Sequence, residues 1–222
     1  MTLEKLITEV QNVIQDNAWT DAMITTLLNR GLVVVASGII LPEKYQLTPP
    51  LPDLYATDTV TTELLSGICD LPDDFNRDLV QVVNSDNEDI KRYDSFRKFL
   101  LEHPEQDSGD VRVCARHGNR LLYRDIPTVQ ESLTVHYYRD PDELESSDDE
   151  PDCIPLVVQK PLLVGYACSQ IFNMIEDGIE GQKINTAFWN NEFTQGIINL
   201  GILVGHDAEP DYYQDYTERI AG

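Results

Sequence analysis

The side chains best suited to hold a transition metal are four histidines, His103, His117, His136 and His206, and four cysteines, Cys69, Cys114, Cys153 and Cys168. The histidines are far apart and no two stand at ligand spacing, so a zinc site would have to be assembled wholly by folding. Adjacent acids such as Asp73-Asp74 and Asp148-Asp149 suit a hard cation, yet Asp148-Asp149-Glu150 lacks the glycine-centred pattern of a calcium loop. Among 39 Asp and Glu residues no pair stands out as general acid and base. The sequence holds no Gly-x-Ser-x-Gly elbow, no Walker A loop and no His-Glu-x-x-His. In Gly178-Ile-Glu-Gly-Gln-Lys183 the glycines are misplaced for a phosphate cradle and Ile184 stands where Ser or Thr is needed, so this run reads as an interhelical turn. The expectation is a protein without catalysis, cofactor or required metal.

What the side chains do carry is charge. With 16 Lys and Arg against the 39 acids the net charge is −23, which repels phosphate backbones and anionic lipid. The charge is unevenly spread: 3 bases face 11 acids in residues 1–76, 10 face 11 in residues 77–139, and 3 face 17 in residues 140–222. Arg112, Arg116, Arg120 and Arg124 stand in the balanced middle segment. Tyr137-Tyr138-Arg139 and Tyr212-Tyr213 are candidate interface anchors, because Tyr and Arg give contact area and hydrogen bonds at low entropic cost. Strand alternation makes one of Tyr137 and Tyr138 a core residue. The cysteines are dispersed singly and read as reduced packing residues made in a cytoplasm. No apolar run approaches the roughly 20 residues of a membrane span, and the amphipathic first residues lack the pattern of a signal peptide.

Leu3, Leu6, Ile7, Val10 and Ile14 share one face of a first helix. Asn17-Ala18-Trp19 breaks it, Thr20 is an N-cap, and Ile24, Leu27, Leu28 and Val35 continue a second helix to Gly38. Pro42, Pro49, Pro50 and Pro52 then forbid helix, and Leu41 to Pro52 reads as an extended arm. Short β-rich runs follow at Leu79–Val83, Val111–Val113 and Leu133–Tyr138. His117-Gly118-Asn119 is the turn of a hairpin between Arg112–Arg116 and Arg120–Arg124, and Phe96, Phe99 and Leu100 behind Ser95 mark a short helix. Asp140 to Asp152 holds eight acids and no base and reads as a solvated loop. Pro161 suits the first turn of a helix with the stripe Leu163, Tyr166, Ala167, Gln170, Ile171 and Met174. A last helix carries Ile184, Phe188, Trp189, Phe193 and Ile197.

The expected architecture is α+β: a four-helix core, two helices N-terminal and two C-terminal, with an inserted antiparallel β region. Its segments are an N-terminal helical hairpin and linker (1–52), the β region with a short helix (53–139), the acidic loop and C-terminal hairpin (140–205), and an acidic, tyrosine-containing tail (206–222).

The order of these pieces resembles the head-to-tail adaptor proteins of tailed bacteriophages, especially podovirus adaptors. The resemblance is carried by Thr20-Asp21-Ala22-Met23-Ile24-Thr25-Thr26-Leu27-Leu28-Asn29-Arg30-Gly31, by Cys69-Asp70-Leu71-Pro72-Asp73-Asp74-Phe75 and by Leu133-Thr134-Val135-His136-Tyr137-Tyr138-Arg139 before an acidic loop. Leu162-Leu163-Val164-Gly165-Tyr166-Ala167 and Glu180-Gly181-Gln182-Lys183-Ile184-Asn185 complete it. It implies a structural virion protein at the head-tail interface, made in the host cytoplasm, with no active site. It implies a ring, matched to a twelvefold portal, that binds portal protein on one face and the tail nozzle, with or without fibres, on the other, around a DNA exit channel. On that reading Asp211, Tyr212, Tyr213, Asp215 and Tyr216 dock on the portal, and Arg112, Arg116, Arg120 and Arg124 face the tail. An acidic DNA mimic or an unrecognised carboxylate hydrolase are the alternatives, the first predicting a compact monomer or dimer and the second a turnover that one carboxylate substitution abolishes.

Overall fold

The computed structural model describes residues 1–38, 40–41, 46–104, 107–177 and 183–205. In chain order its elements are α1 (Leu3–Ile14), α2 (Asp21–Ser37), β1 (Ile40–Leu41), β2 (Gln46–Leu47), β3 (Tyr55–Thr61), β4 (Ile68–Asp70), β5 (Phe75–Val83), β6 (Lys91–Tyr93), α3 (Phe96–Glu102), β7 (Val113–His117), β8 (Arg120–Arg124), β9 (Ser132–Arg139), α4 (Leu156–Gln159), α5 (Gly165–Ile175) and α6 (Ile184–Val204). The chain is α+β, and it divides into a helical unit, Met1–Asp53 with Pro141–Gly222, and a β unit, Leu54–Asp140.

In the helical unit α1 buries Leu3, Leu6 and Val10, and Gln15 closes it in the left-handed conformation. The Thr20 hydroxyl accepts from the Met23 amide at 3.4 Å and starts α2, which buries Ile24, Leu27, Leu28, Leu32 and Val35. Each such aliphatic side chain contributes about 1.5–3 kcal/mol on burial. Within the segment read as an extended arm, β1 and β2 form an antiparallel ribbon, and Leu51 is buried.

The third helical segment starts earlier than its sequence suggests. Pro155 precedes α4, and Lys160–Val164 forms a single π turn that runs straight into α5. Pro161 therefore lies inside the helix, because the wider turn absorbs the hydrogen bond that its missing N–H cannot make. In α6 the buried residues are Thr186, Gly196, Ile197, Leu200 and Val204, while Ile184 and Phe188 are exposed. The buried face thus shares only Ile197 with the stripe expected from the sequence, because Gly196 permits the closest approach. A Cβ at Gly165 would stand 3.2 Å from the Phe193 amide nitrogen, and one at Gly196 would stand 3.2 Å from the Leu162 nitrogen.

The acidic loop is tied down by its backbone while most of its carboxylates face water. Asn29 of α2 donates to the Leu144 carbonyl at 3.0 Å and accepts from the Leu144 amide at 2.9 Å. The Leu3 and Glu4 amides, unsatisfied at the start of α1, donate to the Asp149 and Ser147 carbonyls. Leu144 and Ile154 are buried, so the loop is anchored where composition suggested only solvation.

The β unit is built from two sheets, β3-β9-β5 and β4-β8-β7-β6. A shared core includes Val60, Leu79 and Val82, Leu133, Val135 and Tyr137 of the first sheet and Cys114, Leu121 and Tyr123 of the second. Of the adjacent tyrosines, Tyr137 is the core residue, donating to the Asp74 carboxylate at 2.6 Å, and Tyr138 is half-buried. Period-two alternation sends Val113, Ala115 and Leu122 to the other face of the second sheet, where they pack with Tyr93 and Phe99. The β7–β8 hairpin closes at Gly118-Asn119, with Gly118 at φ 65, a conformation glycine adopts without a Cβ penalty.

Candidate functional site

The four arginines of the middle segment do not form one patch. Arg116 and Arg120 lie at the closed end of the β7–β8 hairpin and are exposed. The Arg116 guanidinium lies 4.5 Å from the Phe75 ring centroid, and its Nε donates to the Gly118 carbonyl at 2.9 Å. Arg120 Nε stands 3.3 Å from Asp70, and His117 between them stacks on Phe96 with centroids 4.4 Å apart. Arg112 is exposed at the other end of β7, 3.9 Å from Asp125. Arg124 points inward and is only 7% exposed. Its Nε donates to the His103 carbonyl at 3.2 Å, its Nη1 to the Tyr123 carbonyl at 3.0 Å, and its guanidinium lies over Phe99. It is a packing cation, and three of the four arginines remain available to a partner.

Sequence spacing did not reveal the grouping around Tyr93. The Tyr93 hydroxyl donates to Glu102 Oε2 at 2.7 Å and lies 3.0 Å from His103 Nε2, and Lys91 Nζ stands 4.8 Å from the ring centroid. The Tyr93 hydrogen bond holds the Glu102 carboxyl below its ordinary range and, with charge, raises the Lys91 ammonium. The grouping satisfies itself around a buried ring, which suits a fixed surface better than proton transfer to a bound molecule. On the outer face of β3 and β9, Tyr55 stacks on His136, and the Tyr55 hydroxyl and Thr57 Oγ1 lie 2.7 and 3.1 Å from His136 Nδ1.

Nucleophilic chemistry finds little support in the thiols. Cys69, Cys114 and Cys168 are buried and free, and desolvation pushes each up to about 12, far from a reactive thiolate. Among the described residues no group of three or more His, Cys, Asp or Glu could hold a metal ion. An open depression at the α1–α2 turn is lined by Gln11, Trp19 and Asp21, and there the Gln11 amide already donates to Asp21 at 2.6 Å. Among the described residues no helix is long and apolar enough to cross a membrane.

In the helical unit Glu176, just beyond α5, reaches the first turn of α6. Its carboxylate accepts from the Asn185 amide at 3.1 Å and from the Thr186 amide and hydroxyl at 3.1 and 2.7 Å. These bonds hold its carboxyl below the ordinary range, as backbone amides do for Asp149 in the acidic loop. A lowered folded-state value stabilises the fold above the unfolded value and is lost as pH falls through the folded one. Thermal melts are therefore expected to fall as pH drops below about 4. Glu176→Gln should lower stability at neutral pH and flatten that acid-side slope; an unchanged slope would remove Glu176 from the account.

Asp211, Tyr212, Tyr213, Asp215 and Tyr216 lie outside the described residues, as do residues 178–182 of the expected interhelical turn. What the described surface offers is a set of separated, largely prearranged contact groups without a focused reaction centre. Among known families, the model described as SU10 adaptor protein matches residues 1–217. No curated protein matches the chain.

Proposed function

Because the chain belongs to the SU10 adaptor protein family, a family of phage head-to-tail adaptors, we propose that it works as a non-catalytic ring between portal and tail. Its role is that of a structural adaptor protein of a bacteriophage, a component of the virion. The observation that carries the finer reading is the family match over nearly the whole chain, joined to the division of charge between segments.

In this reading the subunits close into a ring, twelve matching a twelvefold portal, around the path of the DNA. A charge of −23 per subunit opposes self-association, so the isolated protein is mainly monomeric and the portal templates the ring. Acidic helical surface along the channel repels passing DNA within the roughly 8 Å screening length, which lets it slide without sticking. The β unit faces the nozzle or fibres, where Arg112, Arg116 and Arg120 meet acidic partner groups. Residues 206–222 hold five acids and three tyrosines and dock on the portal through Asp211, Tyr212, Tyr213, Asp215 and Tyr216, the tyrosines burying their rings and the carboxylates meeting basic groups.

Native mass measurement tests the reading directly. The pure protein should run as low-order species and be taken up stoichiometrically on mixing with its portal. Removing residues 206–222 should leave melting of the fold largely unchanged and weaken that uptake. A stable dimer indifferent to portal would overturn the adaptor ring, and unchanged docking by the truncated chain would overturn the role given to the tail.

A further inference from the structure

Half of the basic side chains lie in one short stretch of the chain. Residues 91–124 hold 8 of the 16 Lys and Arg against 5 of the 39 acids, whereas the other residues set 8 bases against 34 acids. Within that stretch Arg124 is buried, and Arg92 donates to the Val80 carbonyl at 3.0 Å and stands 3.2 Å from Asp94. Arg112 and Arg120 face Asp125 and Asp70, and Arg116 lies over the Phe75 ring. Lys91, Arg97 and Lys98 are left with little countercharge. Lys91 and Lys98 flank a single ring, their Nζ atoms 4.8 and 6.0 Å from the Tyr93 centroid. Arg97 is exposed and, among the described residues, has no ion-pair partner. The carboxylate beside these cations is Glu102, which stands 3.8 Å from Lys98 and already accepts from the Tyr93 hydroxyl. The platform beneath them is rigid, because Ser95 caps α3 and fully buried Phe99 packs with Tyr93, Val113 and Leu122.

The helical unit carries a surface of the opposite sign. Glu143 and Glu145 flank Leu144, which Asn29 fixes through both its amide and its carbonyl. The Glu145 and Ser146 amides donate to the Asp149 carboxylate at 2.8 and 2.7 Å, so the backbone presenting Glu143, Glu145 and Asp148 is set before any partner arrives. All three side chains are exposed and, among the described residues, no cation pairs with them. We propose that Lys91, Arg97 and Lys98 of one copy dock on Glu143, Glu145 and Asp148 of a second copy. Charge selects this occupant. At −23 per copy most encounters between copies set acid against acid, whereas this one sets the net-positive stretch against residues 140–152, which hold eight acids and no base. Both surfaces are prearranged, so little ordering entropy is lost on contact. Two different patches on one chain make a heterologous contact, the kind that generates rings. The proposal rests on the adaptor-ring reading and identifies how neighbours meet within it.

Charge reversal tests it in the full-length protein, because substitutions at exposed positions change folding little. Arg97→Glu with Lys98→Glu makes the chain more negative, and Glu143→Lys with Glu145→Lys makes it less so. Each pair should weaken assembly on the portal at least about tenfold, and all four together, back at the wild-type charge, should restore it to within about threefold. General repulsion predicts instead that the less negative variant assembles better than wild type. That result, or no recovery in the combined variant, would overturn the contact. Loss of tail attachment with assembly intact in the Arg97→Glu, Lys98→Glu protein would give the basic surface to an acidic tail protein and overturn it too. A second measurement needs neither variants nor portal. Isotope-labelled and unlabelled wild-type protein, mixed at high concentration, are treated with a carbodiimide, which couples lysine amines to nearby carboxylates. Mixed-label products joining Lys91 or Lys98 to the acidic loop are expected, and their absence would overturn the contact. If the wild-type protein ignores portal, the adaptor reading fails, and this crosslink still decides the contact by the same criterion.

Discussion

Arg124→Glu is expected to destabilise the β unit by about 3–5 kcal/mol, whereas the same reversal at Arg120 should change stability by less than about 1 kcal/mol. At position 124 the new carboxylate would be buried beside the His103 and Tyr123 carbonyl oxygens that the guanidinium now satisfies, and over the face of Phe99, whose quadrupole favours a cation. Arg120 and Asp70 are both largely in water, so their pair is screened and weak. Urea unfolding followed by circular dichroism measures the first effect. The same titration reads the second, and charge reversal at Arg112, Arg116 and Arg120 together should impair tail attachment more than portal binding. Wild-type stability in Arg124→Glu would contradict the inward placement, and equal loss of tail and portal binding would contradict the assignment of the β unit to the tail.

Gly165→Val and Gly196→Val are each expected to cost about 1–3 kcal/mol and to lower the melting temperature of the helical unit, while Gly201→Ala, in the same helix as Gly196, is expected to raise it. A side chain at 165 meets the Phe193 backbone, and one at 196 meets the Leu162 backbone nitrogen and Cδ2, so the helices must separate or rotate. A Cβ at 201 meets nothing within 4 Å, leaving only the gain in helix propensity, about 0.5–1 kcal/mol. Opposite signs along one helix would establish close backbone packing as the cause. Destabilisation at both Gly196 and Gly201 would point instead to a general sensitivity of α6.

The elements legible in the sequence were those with a single dominant period or a specific backbone requirement. The stripe of α1, the Thr20 and Ser95 caps and the Gly118 turn belong here, and Ser95 Oγ does accept from the Lys98 amide at 3.3 Å. β3 was not singled out within the β region because Tyr55-Ala-Thr-Asp-Thr-Val-Thr61 buries only Val60 fully, so no apolar alternation marks it. The start of α4 was hidden by Pro161, which resembles a beginning to any rule that assumes uniform α geometry. In α6 large apolar residues such as Ile184 and Phe188 are exposed, and the buried face includes Gly196, whose close approach to Leu162 no apolar stripe announces. The separate fates of Arg112, Arg116, Arg120 and Arg124 were invisible for a related reason: strand spacing fixes the face of a side chain, but only the packing of α3 over β8 decides that one face has no water for Arg124.

The π turn at Lys160–Val164 also has a bearing on how this helix can change by insertion and deletion. One residue advances an α-helix by about 100°, and a π turn fits one residue beyond the regular count into about a single turn, so that advance is absorbed between α4 and α5. The exposed Leu156-Val157 pair and the buried Leu162-Leu163-Val164 run thus keep the faces that a regular helix one residue shorter would give them. Excising Pro161 would return the segment to unbroken α geometry and leave both faces in register with their neighbours, so the helical unit can absorb a single-residue change of length at this turn.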